Sequence, residues 1–279
     1  MTGSRTPANA RIAAVFESLQ KRSERAFMPF VVIGDPSLEA SAAVADALVE
    51  GGADIMEFGF PFSDPPADGP VIQAADERAL AAGTTPDDCL EFIAAFRQRH
   101  DVPVALLIYF NLILQRGVDA FYEAAAAAGV DAILAADVPL ELSGPLVDAG
   151  RKHGIAPIFI ASELTTAERM AEIAKVADGY IYAVARIGIT GEKSEVDAGL
   201  PATLGRIREA TQLPILAGFG ISTPDHVRRV AGMNADGAIT GSAIVRRIAA
   251  HAAGELSLSS LCEELRAFTR AMKAATRPA

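Results

Sequence analysis

Apolar runs rich in Val, Ile and Phe alternate along the chain with Ala-rich segments whose hydrophobic positions recur at a helical period. Short apolar runs separated by amphipathic helices are the pattern of βαβ units around a parallel sheet, whose strands are covered on both faces. Eight runs read as strands: residues 27 to 34 (FMPFVVIG), 53 to 59 (ADIMEFG), 103 to 109 (PVALLIY), 130 to 136 (VDAILAA), 155 to 161 (IAPIFIA), 179 to 184 (GYIYAV), 213 to 218 (LPILAG) and 236 to 240 (DGAIT). Helical stretches between them include SLEASAAVADALVEGG, VDAFYEAAAAAG, LSGPLVDAGRKHG and TAERMAEIAKVA. Several end in Gly, the residue that most easily takes the left-handed conformation at a helix end.

Strand starts recur about every 25 residues, with longer intervals after the second and sixth strands. Eight strands joined by right-handed crossovers close most simply into one (β/α)8 TIM barrel, a fold of about 250 residues. The first long interval holds an extra helix, DDCLEFIAAFRQRH. The second, ARIGITGEKSEVDAGL, is polar and punctuated by Gly, like a mobile active-site loop. Both leave the barrel at the C-terminal ends of the strands, where this fold carries its active sites.

With 279 residues, 51% hydrophobic and 22% charged, the chain has ample material for a core, and no Ser-, Gly- or charge-rich linker divides it. One catalytic domain over residues 1–279 is expected, with a flexible tail over 1–10. The net charge of −10 speaks against nucleic acid as a partner, because phosphate backbones reward basic patches. No run of about 20 apolar residues and no signal-peptide pattern is present, so no membrane association is expected and the location reads as cytoplasmic. Cys89 and Cys262 lack ligand spacing, and His100, His153, His226 and His251 form no helical pair, so no metal site is expected. Both cysteines read as packing residues.

The segment DIMEFGFPFSDPPADGP then stands out. A strand period of two puts Ala53, Ile55 and Glu57 on one face and Asp54, Met56 and Phe58 on the other. If Ile55 points into the barrel, Glu57 does too, near the upper rim. A carboxylate there is either tied to loop donors or is a general acid or base with its pKa raised by burial. Asp64 and Asp68 follow in the loop, where Asp ordinarily serves turns. Asp68 precedes the next helix and is placed to swing back over the mouth, while Asp64 sits on the outer loop.

Late in the chain, LAGFGIS and AITGSAIV end the seventh and eighth strands in Gly-containing turns that enter helices. Loops at these two positions commonly bind phosphate in such barrels. Glycine lets an anion approach, and helix-start N–H groups donate to it.

The motifs PFSDPPADGP, ADVP, GYIYAV…GITG, GFGIS, GSAIV and MKAATR, in that order over nearly the whole chain, resemble the tryptophan synthase alpha subunit family. The resemblance implies a (β/α)8 lyase that cleaves indole-3-glycerol phosphate to indole and glyceraldehyde 3-phosphate without a cofactor, as the alpha part of an αββα complex with a beta subunit. It implies Glu57 and Asp68 as the catalytic carboxylates. Tyr182, Phe30, Leu107, Leu134 and Phe219 become substrate contacts, although each apolar residue alone reads as ordinary core. Gly191, Gly220, Gly241 and Ser242 match phosphate-binding positions, Thr190 a substrate-side lid residue that closes onto the aspartate, and Arg186 the base of that lid. Pro61, Asp64 and Asn111 match positions facing the beta subunit. Departures from the family pattern are Pro66, Ile187 and the turn ASELTT, which bear on loop behaviour and leave the catalytic positions intact. Two other functions fit the same resemblance: a free-standing lyase that releases indole for specialised metabolism, and a catalytically silent activator of the beta subunit.

Overall fold

A computed structural model describes residues 10–184, 199–218 and 220–277. The strands are β1 Ala26–Val32, β2 Met56–Gly59, β3 Val104–Ile108, β4 Ala132–Ala135, β5 Ala156–Pro157, β6 Phe159–Ala161, β7 Ile181–Val184, β8 Ile215–Gly218 and β9 Gly237–Thr240. All pairings are parallel, and the sheet runs β5-β4-β3-β2-β1-β9-β8-β7-β6. Its two ends, β5 and β6, are halves of the fifth expected strand, so the chain itself closes the barrel. Ala156 and Ile158 donate to the β4 side, and the Pro157 carbonyl accepts from Asp178 on the β7 side. Proline has no N–H to give to β7, which splits the fifth strand into two short pieces.

Around the barrel lie α1 Ala10–Lys21, α2 Leu38–Glu50, α3 Pro70–Ala81, α4 Pro86–Arg99, α5 Phe110–Arg116, α6 Val118–Ala128, α7 Gly144–His153, α8 Ala167–Val176, α9 Gly199–Ala210, α10 Pro224–Gly232, α11 Ser242–Ala252 and α12 Leu258–Ala274, with a 3-10 turn at Leu140–Leu142. The extra helix after β2 is α4, started by a reciprocal capping box between Thr85 and Asp88 with Pro86 in its first turn. α1 starts at Ala10, inside the stretch read as a tail. α5 is a short helix that the sequence pattern does not predict.

Alternation along each strand sorts side chains between two cores. Met28, Ile55, Ala105, Leu134, Tyr182, Leu216 and Ile239 fill the barrel interior. Met56, Phe58 and Ile133 pack outward under the helices, where Phe58 meets Phe92 and Phe96 edge to face. Ile55 therefore points inward as expected, but Ala53 does not. It belongs to the outer core, because regular strand geometry begins only at Met56 and the alternation does not extend back to position 53. Among the described residues no helix is long and apolar enough to cross a membrane.

Candidate active site

Glu57 sits in β2, between Phe30 of β1 and Ala105 of β3 in the ladder register. It is 1% exposed, and its Oε1 has no hydrogen-bond partner among the described residues. Burial first, and then the negative charge of Asp68, push its carboxyl up to about 8. Glu57 thus holds a proton at neutral pH in an interior where an ion without a partner would be costly.

Asp68 lies in the loop between β2 and α3, turned back over the mouth. Its N–H bonds the Pro65 carbonyl at 3.3 Å, and its own carbonyl accepts from Gln73 Nε2 of α3 at 2.8 Å. Asp68 Oδ2 accepts a 2.6 Å hydrogen bond from the hydroxyl of Tyr109, the residue that follows β3. The same hydroxyl accepts from the Ala67 N–H, and the Tyr109 ring stacks on Phe62 at 5.1 Å. Tyr109 fastens the acidic loop to the neighbouring strand end at three points. Burial raises the Asp68 carboxyl, and the Tyr109 bond opposes that shift.

Tyr109 and Asp76 were missed by motif reasoning. Both were accessible from periodicity: Tyr109 shares a strand face with Leu107, and Asp76 falls with Ile72, Ala75 and Ala79 on the buried face of α3.

The other expected contacts fall on the same rim. Phe30, Leu134 and Tyr182 are buried, Leu107 is half-buried, and all four belong to interior-facing positions. The Tyr182 hydroxyl is kept protonated by burial and by the charges of Glu57 and Asp68. Gly218 makes room for it, since a Cβ there would lie 2.4 Å from the Tyr182 oxygen. Gly241 fits against the Phe30 ring, 3.1 Å from an added Cβ, and Gly220 has φ +79°. α11 starts at Ser242, and β8 and β9 are paired, so these two Gly-containing ends lie side by side. The first N–H groups of α11 lack intrahelical acceptors and point out of the helix start.

Asp64 and Asn111 are exposed, whereas Pro61 is buried and offers little surface to a partner. Arg186, Ile187, Thr190, Gly191 and Phe219 lie outside the described residues. The turn ASELTT leads from β6 to α8, whose start Thr166 caps.

A cavity of about 140 Å³ borders Leu134 and Ile160 on the flank between β4, the split fifth strand and α7. It contains no carboxylate, so the chemistry is assigned to the rim around Glu57. Among the described residues no cluster of three His, Cys, Asp or Glu side chains is arranged to hold a metal ion.

A rim with a protonated buried glutamate, a loop aspartate and, one strand beyond β1, a Gly-lined helix start can hold a phosphorylated, partly aromatic molecule and move protons at its other end. Residues 16–277 match the family model described as tryptophan synthase alpha chain. The tryptophan synthase alpha chain of Shewanella amazonensis is 48% identical over 267 residues, covering 95% of this chain and 99% of the relative. That of Cronobacter sakazakii is 46% identical, with 96% and 99% covered. The crystal structure of tryptophan synthase subunit alpha from Legionella pneumophila superposes with a TM-score of 0.85 at 36% identity over 96% of this chain and 98% of that one. A chain of tryptophan synthase from M. tuberculosis in its aminoacrylate-bound form gives 0.84 at 30% identity, with 96% and 99% covered.

Proposed function

The chain belongs to the tryptophan synthase alpha chain family, and from that premise we propose that Glu57 and Asp68 are the two carboxylates with which it cleaves indole-3-glycerol phosphate to indole and glyceraldehyde 3-phosphate. The observation that carries this reading is the protonated, buried Glu57 facing an aspartate held by Tyr109. Glu57 donates its proton to indole C3, and positive charge spreads to the ring nitrogen, whose N–H donates to Asp68. The Glu57 carboxylate then takes the proton of the neighbouring glycerol hydroxyl. The C–C bond breaks, its electron pair returns to the ring, and the hydroxyl carbon becomes the aldehyde. Glu57 is restored to its starting protonation, so one carboxyl serves as acid and then as base.

Phe30, Leu107, Leu134, Tyr182 and Phe219 enclose the indole in this reading, Gly191, Gly220, Gly241 and Ser242 hold the phosphate end, and Thr190 closes onto Asp68. The beta subunit takes up the indole. Exposed apolar Leu114 (55% exposed) and Leu142 (67% exposed), on the segments after β3 and β4, support a partner surface beside the mouth together with Asp64 and Asn111. The setting is the cytoplasm, in keeping with buried free thiols at Cys89 and Cys262.

Indole release from indole-3-glycerol phosphate tests the assignment. Glu57→Gln, nearly isosteric and unable to carry the proton, is expected to lose at least about 10²-fold in turnover with its fold intact. Near-normal turnover would remove Glu57 from the mechanism. The same assay with and without added beta subunit separates the complex from a free-standing lyase, which would show no change, and any robust indole release excludes a silent activator.

A further inference from the structure

α3 carries a carboxyl that the mechanism above does not use. Asp76 is 3% exposed, and its Oδ2 has no hydrogen-bond partner among the described residues. The backbone N–H of Phe62, the residue whose ring stacks on Tyr109, lies near enough to the Asp76 carboxyl to favour its charged form. Asp76 therefore lies against the front of the acidic loop, and Gln73 of the same helix ties the loop's end at Asp68.

The groups facing Asp76 decide its protonation state. From the loop comes the Asp68 carboxylate, from the segment after β1 Asp35, from α3 itself Glu77, and from the end of β3 the neutral Tyr109 hydroxyl. Arg78, two residues further along α3, is paired with Asp35 through Nε and Nη2 at 2.7 and 2.9 Å. Among the described residues no cation pairs with Asp68 or Asp76, and two carboxylates in such a poorly hydrated space cannot both ionise cheaply. Asp68, with a Tyr109 bond that favours its charged form, ionises first; burial and the Asp68 charge hold the Asp76 proton up to about 8.

We propose that Asp76 is a positioning residue for the reaction, a carboxyl that anchors the Phe62–Asp68 loop on α3 while it stays neutral and so leaves Asp68 as the charged member of the pair. The inference rests on the role of Asp68 given above. Ionisation of Asp76 places a second negative charge behind Asp68, and the repulsion displaces the loop from its catalytic position. The complete enzyme then loses turnover at alkaline pH for two reasons, loss of the Glu57 proton and loss of the Asp76 proton.

The test compares wild type and Asp76→Asn, which keeps an oxygen for the Phe62 N–H, as complexes with the beta subunit. With both groups titrating near 8, turnover of wild type falls with a limiting slope of two, and that of the variant with a slope of one. At pH 9 the variant is expected to retain about tenfold more of its neutral-pH rate than wild type does. Equal alkaline limbs in two folded proteins would overturn the proposal, as would a uniform loss of turnover without a change of slope. Infrared difference spectra of wild type against Asp76→Asn are expected to show a protonated carboxyl band at pH 7 that vanishes by about pH 10, three or more units above an ordinary carboxyl. Its absence at pH 7 refutes the proposal whatever the rates. Should Asp76→Asn fail to fold, the band is read in Glu57→Gln against Glu57→Gln/Asp68→Asn, where Glu57 no longer contributes; removal of the Asp68 charge must lower the midpoint of the Asp76 band, and an unmoved midpoint refutes the pairing. If Asp68→Asn instead proves fully active, the role of Asp68 falls while the band still reports the state of Asp76.

Discussion

At the ends of β2 and β3 the mouth is made of side chains held out of water, whereas at the ends of β8 and β9 it depends on glycines, which have none. Glu57, Asp68, Tyr109 and Asp76 act through functional groups whose protonation is set by burial and by one another. Gly218 and Gly241 act through space, placed where a Cβ would meet Tyr182 or press on Phe30, and Gly220 through a positive φ that a side chain would strain. Proton transfer needs a group at one place in one protonation state, while an anion needs a concave backbone with free N–H groups. The acidic side is therefore damaged by removal and the glycine side by addition.

The largest effect is expected on the acidic side. Asp68→Asn removes the charge opposite the ring nitrogen and is expected to lower turnover by about 10²-fold or more while leaving binding of a glycerol-phosphate analogue unchanged. Full turnover would break the division of labour between Glu57 and Asp68. On the glycine side, Gly241→Val is expected to weaken the phosphate ligand by about tenfold or more, the cost of losing a hydrogen bond to a charged group. Its Cβ also presses on Phe30, so titration calorimetry with inorganic phosphate and with the indole-bearing analogue distinguishes a blocked anion site from a displaced ring. Unchanged affinity for both would remove Gly241 from the site.

These two sides were unequally legible in the sequence. The glycine side announces itself, because Gly at two consecutive strand ends is a local signal that needs no knowledge of what packs nearby. Glu57 was legible from strand alternation once Ile55 was set inside, although the same alternation failed at Ala53, where the strand had not begun. Tyr109 and Asp76 were not singled out. Tyr109 matters because a loop more than forty residues earlier folds back onto its hydroxyl, and Asp76 because Arg78 on the same helix is bonded to Asp35 instead. The eight strand positions were readable from apolar runs, but the break in the fifth required knowing that the missing N–H of Pro157 faces β7. α5 was hidden because its residues follow β3 with hardly any intervening turn.

A smaller effect sharpens the acidic half of the comparison. Tyr109→Phe keeps the stack on Phe62 and removes the hydroxyl that bonds Asp68 Oδ2 and the Ala67 N–H. Turnover is expected to fall by roughly three- to tenfold, since only part of a charged hydrogen bond is felt in the rate. The bond favours ionised Asp68, so without it the Asp68 pKa rises and the acid limb of kcat/KM moves to higher pH. An unmoved acid limb would mean that Tyr109 serves packing alone.

The last effect is read in temperature, and it has opposite outcomes on the two sides. Glu57 takes a proton at about 4.5 when unfolded and about 8 when folded. Below 4.5 both states are protonated and the group costs nothing. Between 4.5 and 8 the unfolded chain ionises while the folded one does not, so stability falls as pH rises, and above 8 the loss levels off. A Gln at this position never titrates. Glu57→Gln is therefore expected to match wild type near pH 4.5 and to melt higher at pH 8, with each kcal/mol recovered worth about 2–4 °C in a chain of this size. Gly241→Val introduces no titratable group, so its melting difference from wild type is expected to be the same at both pH values. A pH-independent difference for Glu57→Gln would show that the buried carboxyl is better solvated than its surroundings imply, and it would remove the acid form from which the proposed proton transfer starts.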